Sequence, residues 1–261
     1  MDLLNYLPKP FSKKIIAARA FFGSNINLFL LLWLAWMLFP LFLSGFISDD
    51  AYNSQIQGVL LHSNISLFDR IVSEISYWIS LGRFNPLNWI FWYSYFYLLP
   101  SLLLYKLFAF FIIYLNLIYF EKILKFITQS GSFSYCVVFL LPILFQFRYW
   151  HDPFLAFASI PLACLLFFFS LYLLIRYIET AKTGYYWYYL LVFLISLLCY
   201  ELSYISPLFY FLITYLKNKS LKKSFLLIAT PIALILLHFM IKGFFSSTSE
   251  LYPGTIFSFN F

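Results

Sequence analysis

Two carboxylates stand side by side at Asp49 and Asp50, directly after about 20 uncharged apolar residues, long enough to cross a bilayer once. An acidic pair at that depth is costly to bury and has no packing role. One reading is a solvated cap at the end of a span. The other is a carboxylate held at the membrane surface to act on a lipid-borne group. Three further polar groups raise the same choice: Arg83 in Gly82-Arg83-Phe84-Asn85-Pro86, the run Gln146-Phe147-Arg148-Tyr149-Trp150-His151-Asp152-Pro153, and Tyr200-Glu201. Taken singly, most have ordinary accounts. Arg148 can snorkel to the interface, and His151 with Asp152 and Pro153 can start a helix. Glu201 is harder to dismiss. The apolar runs beside it are too short to carry it far from hydrocarbon, and an intramembrane carboxylate is a functional candidate by default. His62 and His238 read as structural. Asp49, Asp50, His151, Asp152 and Glu201 are of the types that ligate a divalent cation, but no spacing fixes a metal site.

The elements that must position these groups follow from composition. Of the 261 residues, 63% are hydrophobic and only 10% charged, with a mean hydropathy of +0.86. Soluble domains carry roughly 25% charged residues, so this is the composition of an integral membrane protein. Aromatic residues reach 25%, which suits lipid-facing and interfacial surfaces. The net charge of +7 sits in short basic clusters between apolar runs. That is the pattern of orientation signals and headgroup contacts, so membrane lipids are expected partners and nucleic acid is not. Cys136, Cys164 and Cys199 lie in apolar segments without C-x-x-C spacing and read as inert packing residues.

The chain divides into an all-α, polytopic bundle of about seven spans, read as a single domain over 1–261. Residues 1–25 form a basic, cytoplasmic head. Asn25 to Ile47 is span one. It is too long for a signal-peptide core and lacks a small-residue cleavage site, and it carries Pro40 in its outer half. Residues 48–100 form an extracytoplasmic loop with interfacial helices. Ala51 to His62 reads as one short helix. Ser66 to Ser80 reads as an amphipathic one, with Leu67, Phe68, Ile71, Val72, Ile75, Trp78 and Ile79 on one face. Asp69, Arg70, Ser73, Glu74 and Ser76 lie opposite, and Arg70 can pair with Glu74. Gly82 to Pro86 breaks that helix.

Charge decides whether Leu87 to Phe120 holds one span or two. With an interfacial segment followed by a single span, only Arg70, Arg83, Lys106, Arg148 and Lys242 of the 17 basic residues lie outside. Asp49, Asp50, Asp69, Glu74, Asp152, Glu201 and Glu250 are then outside too, seven of the ten acids. A second span would reverse every later basic cluster against the positive-inside rule. The remaining spans are Phe133–Phe147, Phe154–Ile175, Tyr185–Tyr200, Ile205–Leu216 and Phe225–Ile241. Residues 242–261 read as extracytoplasmic, and an end without a polar tail reads as a chain cut short.

All four polar groups then share one side of the membrane, where they suit sugar transfer from a lipid phosphate. A carboxylate can take the proton of the acceptor hydroxyl. Arginine or histidine can stabilise the leaving phosphate. The acidic pair after span one and the amphipathic helix at 66–80 resemble the N-terminal portion of the GT-C superfamily of integral-membrane glycosyltransferases. Asp-Asp-x-Tyr-Asn-Ser-Gln, Gly-Arg-Phe-x-Pro, Gln-x-Arg-x-x-His-Asp-Pro and Tyr-Glu also resemble bacterial membrane proteins grouped near the O-antigen glucosyltransferases. The resemblance implies that Asp49 or Asp50 is the catalytic base and that the donor is a polyprenyl-phosphate sugar. The acceptor would be a cell-envelope glycan or lipid, at a bacterial inner membrane. Arg83, Arg148, His151, Asp152, Tyr200 and Glu201 are the expected substrate-binding residues. Two other readings stay open: a transporter or flippase for a lipid-linked glycan, and an inactive truncated scaffold.

Overall fold

The computed structural model describes residues 25–46, 49–99, 101–144 and 159–245. Among these residues all regular structure is helical. Among the described residues, three helices are long and apolar enough to cross a membrane: α7 (Leu102–Thr128), α9 (Ser159–Thr180) and α12 (Leu221–Phe245). Shorter apolar helices accompany them: α1 (Ile26–Met37), α8 (Gly131–Leu140, running into a 3₁₀ turn at Leu141–Leu144) and α10 (Thr183–Cys199).

The first apolar run is not one helix. It stops at Met37 and restarts as α2 (Phe39–Leu43). Pro40 has no N–H to continue the ladder of α1, and at the second position of a new helix that loss costs nothing. The segment expected as one helix at 51–62 is also divided, into α3 (Asp49–Asn53) and α4 (Ile56–Ser63). At the break, the Ser54 hydroxyl donates to the Ala51 carbonyl at 2.9 Å, a local bond that competes with the helical ladder.

The amphipathic helix is present as α5 (Leu67–Ser80), capped by the Ser66 side chain accepting from the Asp69 N–H. Its inward stripe is narrower than the periodicity suggests. Ile71 is buried and Leu67, Ile75, Trp78 and Ile79 half-buried, whereas Phe68 and Val72 are exposed. Gly82, at φ 83°, turns the chain out of α5, and Pro86 opens α6 (Pro86–Leu98).

Three apolar clusters hold the helices together, and α7 enters each of them. Its first turns pack Tyr105 and Ala109 against α4, α5 and α6. Phe110, Ile113 and Leu117 meet α1 and α8. Ile123 joins the cluster of α9, α10 and α11 (Ser206–Asn218). In the first cluster, Phe96 and Tyr105 stack with centroids 5.2 Å apart. Such pairs add about 0.5–1.5 kcal/mol beyond area burial.

Two glycines give opposite expectations. Gly82→Ala forces a side chain into the left-handed region at about 1–2 kcal/mol. It should lower the unfolding midpoint of the purified protein. Gly58 lies inside α4 with open space around its Cα. There Gly58→Ala should stabilise by roughly 0.5–1 kcal/mol, read in the same thermal assay.

Candidate functional site

The short hairpin between α10 and α11 places Glu201 at the start of a 3₁₀ turn (Glu201–Ile205). Its carboxylate is gripped from two sides. Arg83 donates through Nε to Oε1 at 3.2 Å and through Nη2 to Oε2 at 3.0 Å, the paired geometry a guanidinium favours. Asn85 Nδ2 donates to Oε2 at 3.1 Å, and Lys242 Nζ stands 3.9 Å from Oε1. The side chains of Arg83 and Glu201 are 20% and 21% exposed. Burial pushes the Glu201 carboxyl upward, but the Arg83 hydrogen bonds and charge outweigh it, and the net displacement is downward. For Arg83, burial works against the cation and Glu201 prevails, so its affinity for the proton rises.

Aromatic rings and a histidine complete the group. The Arg83 guanidinium lies over the Trp78 ring at 5.4 Å and the Tyr200 ring at 5.7 Å. His238 Nε2 meets the Phe84 carbonyl at 2.8 Å, which can only accept, so Nε2 carries the proton. Nδ1 is then free to accept from the Tyr204 hydroxyl at 2.9 Å. Lys242 Nζ donates to the same hydroxyl at 3.4 Å. Loop 81–85, the hairpin and the C-terminal end of α12 thus converge.

Asp50 belongs to a second centre. Asp49 opens α3. Asp50 is buried and accepts from the Tyr105 hydroxyl of α7. Lys106, also buried, lies in the electrostatic field of Asp50 and donates to Ser44 Oγ at 3.0 Å. The solvated-cap reading of Asp50 is therefore wrong: packing by α6 and α7 closes over it. A polar ladder runs from α3 toward Glu201. Tyr52 accepts from Arg70 at 3.4 Å, and Arg70 pairs with Glu74 as its spacing predicted. Trp78 Nε1 donates to Glu74 at 3.2 Å, and its ring underlies Arg83.

Of the expected substrate-binding residues, Arg83, Tyr200 and Glu201 come together. Arg148, His151 and Asp152 lie outside the described residues. Sequence reasoning missed Asn85, Tyr204, His238 and Lys242. His238 read as structural, and it does tie α12 to loop 81–85; what stayed unseen is that it does so beside Glu201. The signal was its spacing of four from Lys242, which puts both on one face of an apolar helix. Among the described residues, no three His, Cys, Asp or Glu side chains gather as a metal site would need.

Directly beyond Glu201, Leu202 and Ile205 line a wholly apolar cavity of about 850 Å³. It runs between α7, α9 and α11 as far as Leu216. No protein-family model, curated protein or solved structure matches this chain.

Glu201 sets a pH limit. Its folded carboxyl titrates below the ordinary 4.5, so its contribution is complete above that value and fades as pH falls through the lower folded one. The unfolding midpoint should decline on the acid side, and Glu201→Gln should flatten that decline. The variant should also be less stable at neutral pH, because Arg83 and Lys242 lose their shared anion. Unfolding midpoints measured from pH 3 to 8 check both.

Proposed function

We propose that the chain is a glycosyltransferase. It moves a sugar from a polyprenyl-phosphate-linked donor to a cell-envelope glycan or lipid acceptor on the extracytoplasmic face. The carrying observation is two cations, Arg83 and Lys242, sharing one carboxylate where a wholly apolar cavity begins. Their surplus positive charge suits a lipid phosphate, and the cavity suits its hydrocarbon tail. In this reading a carboxylate of the acidic pair removes the acceptor's proton as its oxygen attacks the anomeric carbon. The bond from that carbon to the phosphate oxygen breaks, and the electron pair leaves with the polyprenyl phosphate. Arg83 and Lys242 balance that charge. Arg148, His151 and Asp152 are further proposed contacts to donor or acceptor.

The arrangement requires α1 with α2, α8, α10 and α11 to join the three long helices as spans, seven in all. The N-terminus is then cytoplasmic, in a bacterial inner membrane. The charge asymmetry of the loops supports this orientation. A second reading, a transporter for a lipid-linked glycan, draws support from α7. Lys106, Asn116 and Glu121 are all buried along its length, and polar groups through a whole span suit a pathway.

Transfer from a polyprenyl-phosphate sugar by the protein in liposomes tests the proposal. Arg83→Ala and Lys242→Ala should each raise the donor KM and lower kcat/KM, Arg83→Ala by about 10²-fold. Movement of labelled donor across the bilayer without transfer would favour the transporter. Orientation has its own check. A cysteine at Ser66 should react with a membrane-impermeant reagent in intact cells, and one at Ser220 should not. Labelling at Ser220 would overturn the topology.

A further inference from the structure

Proton removal falls to the acidic pair, and the surroundings of Asp50 bear on which of the two performs it. Asp50 is 3% exposed, Tyr105 2% and Lys106 1%. A general base must come within hydrogen-bond reach of the hydroxyl it deprotonates. The Asp50 carboxylate is closed off instead, with one oxygen held by Tyr105. The Phe46 ring lies against Phe96 and Tyr105, each at 5.6 Å between centroids.

The same geometry gives Asp50 another task. Tyr105 and Lys106 are adjacent on α7, and they grip both ends of the link between α2 and α3. Lys106 holds Ser44 before that link and Tyr105 holds Asp50 after it. We infer that Asp50 is a positioning residue: with Tyr105 and Lys106 it locks the start of α3, which Asp49 opens, onto α7. The base of the acidic pair is then Asp49. The activity readout of this inference rests on the transferase reading, and its stability readout does not.

Charge logic supplies the test. Asp50 and Lys106 are opposite charges buried within each other's field, so removing one leaves the other uncompensated, whereas neutralising both is far better tolerated. A positioning carboxylate is therefore dispensable once Lys106 is also neutral, and a base is not. The full chain in lipid nanodiscs is compared as Asp50→Asn, as Asp50→Asn with Lys106→Met, and as Asp49→Asn with and without Lys106→Met. Asp50→Asn should slow transfer by about 10²-fold, the scale of an ångström-sized misplacement. Adding Lys106→Met should recover at least about tenfold of that, with no recovery in the Asp49→Asn background. A double variant as slow as Asp50→Asn alone overturns the inference and makes Asp50 the base. If Asp50→Asn cannot be purified but the double variant can, that is the same rescue. If the unmodified protein transfers no sugar, the transferase reading fails, and unfolding midpoints decide the positioning role. A midpoint of the double variant above that of Asp50→Asn supports it, and an equal or lower one overturns it.

Discussion

The Arg83–Glu201 ion pair joins two parts of the chain separated by 118 residues. Stripping most of the water from a carboxylate costs several kcal/mol unless donors replace it. Here Arg83 supplies two, Asn85 a third, and Lys242 adds charge at 3.9 Å. The pair also settles where the amphipathic layer sits. α5 and α6 also meet α12 and α10 directly, and the ion pair adds a polar anchor to that apolar packing. With Arg83 seated between Trp78 and Tyr200, the turn after α5 is fixed over the α10–α11 hairpin. Trp78 in turn stacks on Trp89 at 5.6 Å, so α6 is carried along.

The second constraint is α7. Its apolar residues feed three separate clusters, so its position orders the layer, the first helices and the α9–α11 core together. Burying Lys106 in such a helix is tolerable only because α7 meets the α2–α3 segment there. Ser44 supplies a hydrogen bond and Asp50 a countercharge. The polar groups thus sit where the chain leaves its apolar runs, at the N-terminal end of α7 and at the α10–α11 hairpin.

Much of this was legible in local pattern. The long apolar helices, the stripe of α5, the Arg70–Glu74 pair and the break at Gly82 all follow from spacing within a few turns. Glu201 stood out because its flanking apolar runs are short. What stayed hidden depends on contacts distant in sequence. Helical periodicity says which face Arg83 or Lys242 occupies, and nothing about which other helix it meets. The burial of Asp50 was missed for that reason: a carboxylate after a span looks solvated until α7 is seen to close over it. Phe68 and Val72 failed differently. Their apolar character marked the stripe but not its width, and a lipid-facing edge looks the same in sequence as a packed one. The divisions at Leu38 and at Ser54-Gln55 turn on a missing N–H and one hydroxyl, too local for a periodic signal to register.

The distribution of polar groups along α7 bears on the choice between a one-sided site and a pathway. Lys106 lies near the N-terminal end, and Glu121 lies beside Lys122 about two turns before the C-terminal end. Between them stands Asn116, whose side-chain amide donates to the carbonyls of Ile112 and Pro161, each at 2.9 Å. An amide shared between two packed helices is the hydrogen-bonded glue of membrane bundles. It fastens the middle of α7 to the first turn of α9, where a pathway for a charged headgroup between them would need them to part. The cavity beside this junction is wholly apolar, fit for a hydrocarbon chain and hostile to a phosphate or sugar. A headgroup held at Arg83 and Lys242 would therefore have its tail in the cavity and no polar route past Asn116. That geometry favours chemistry at one face over passage between two.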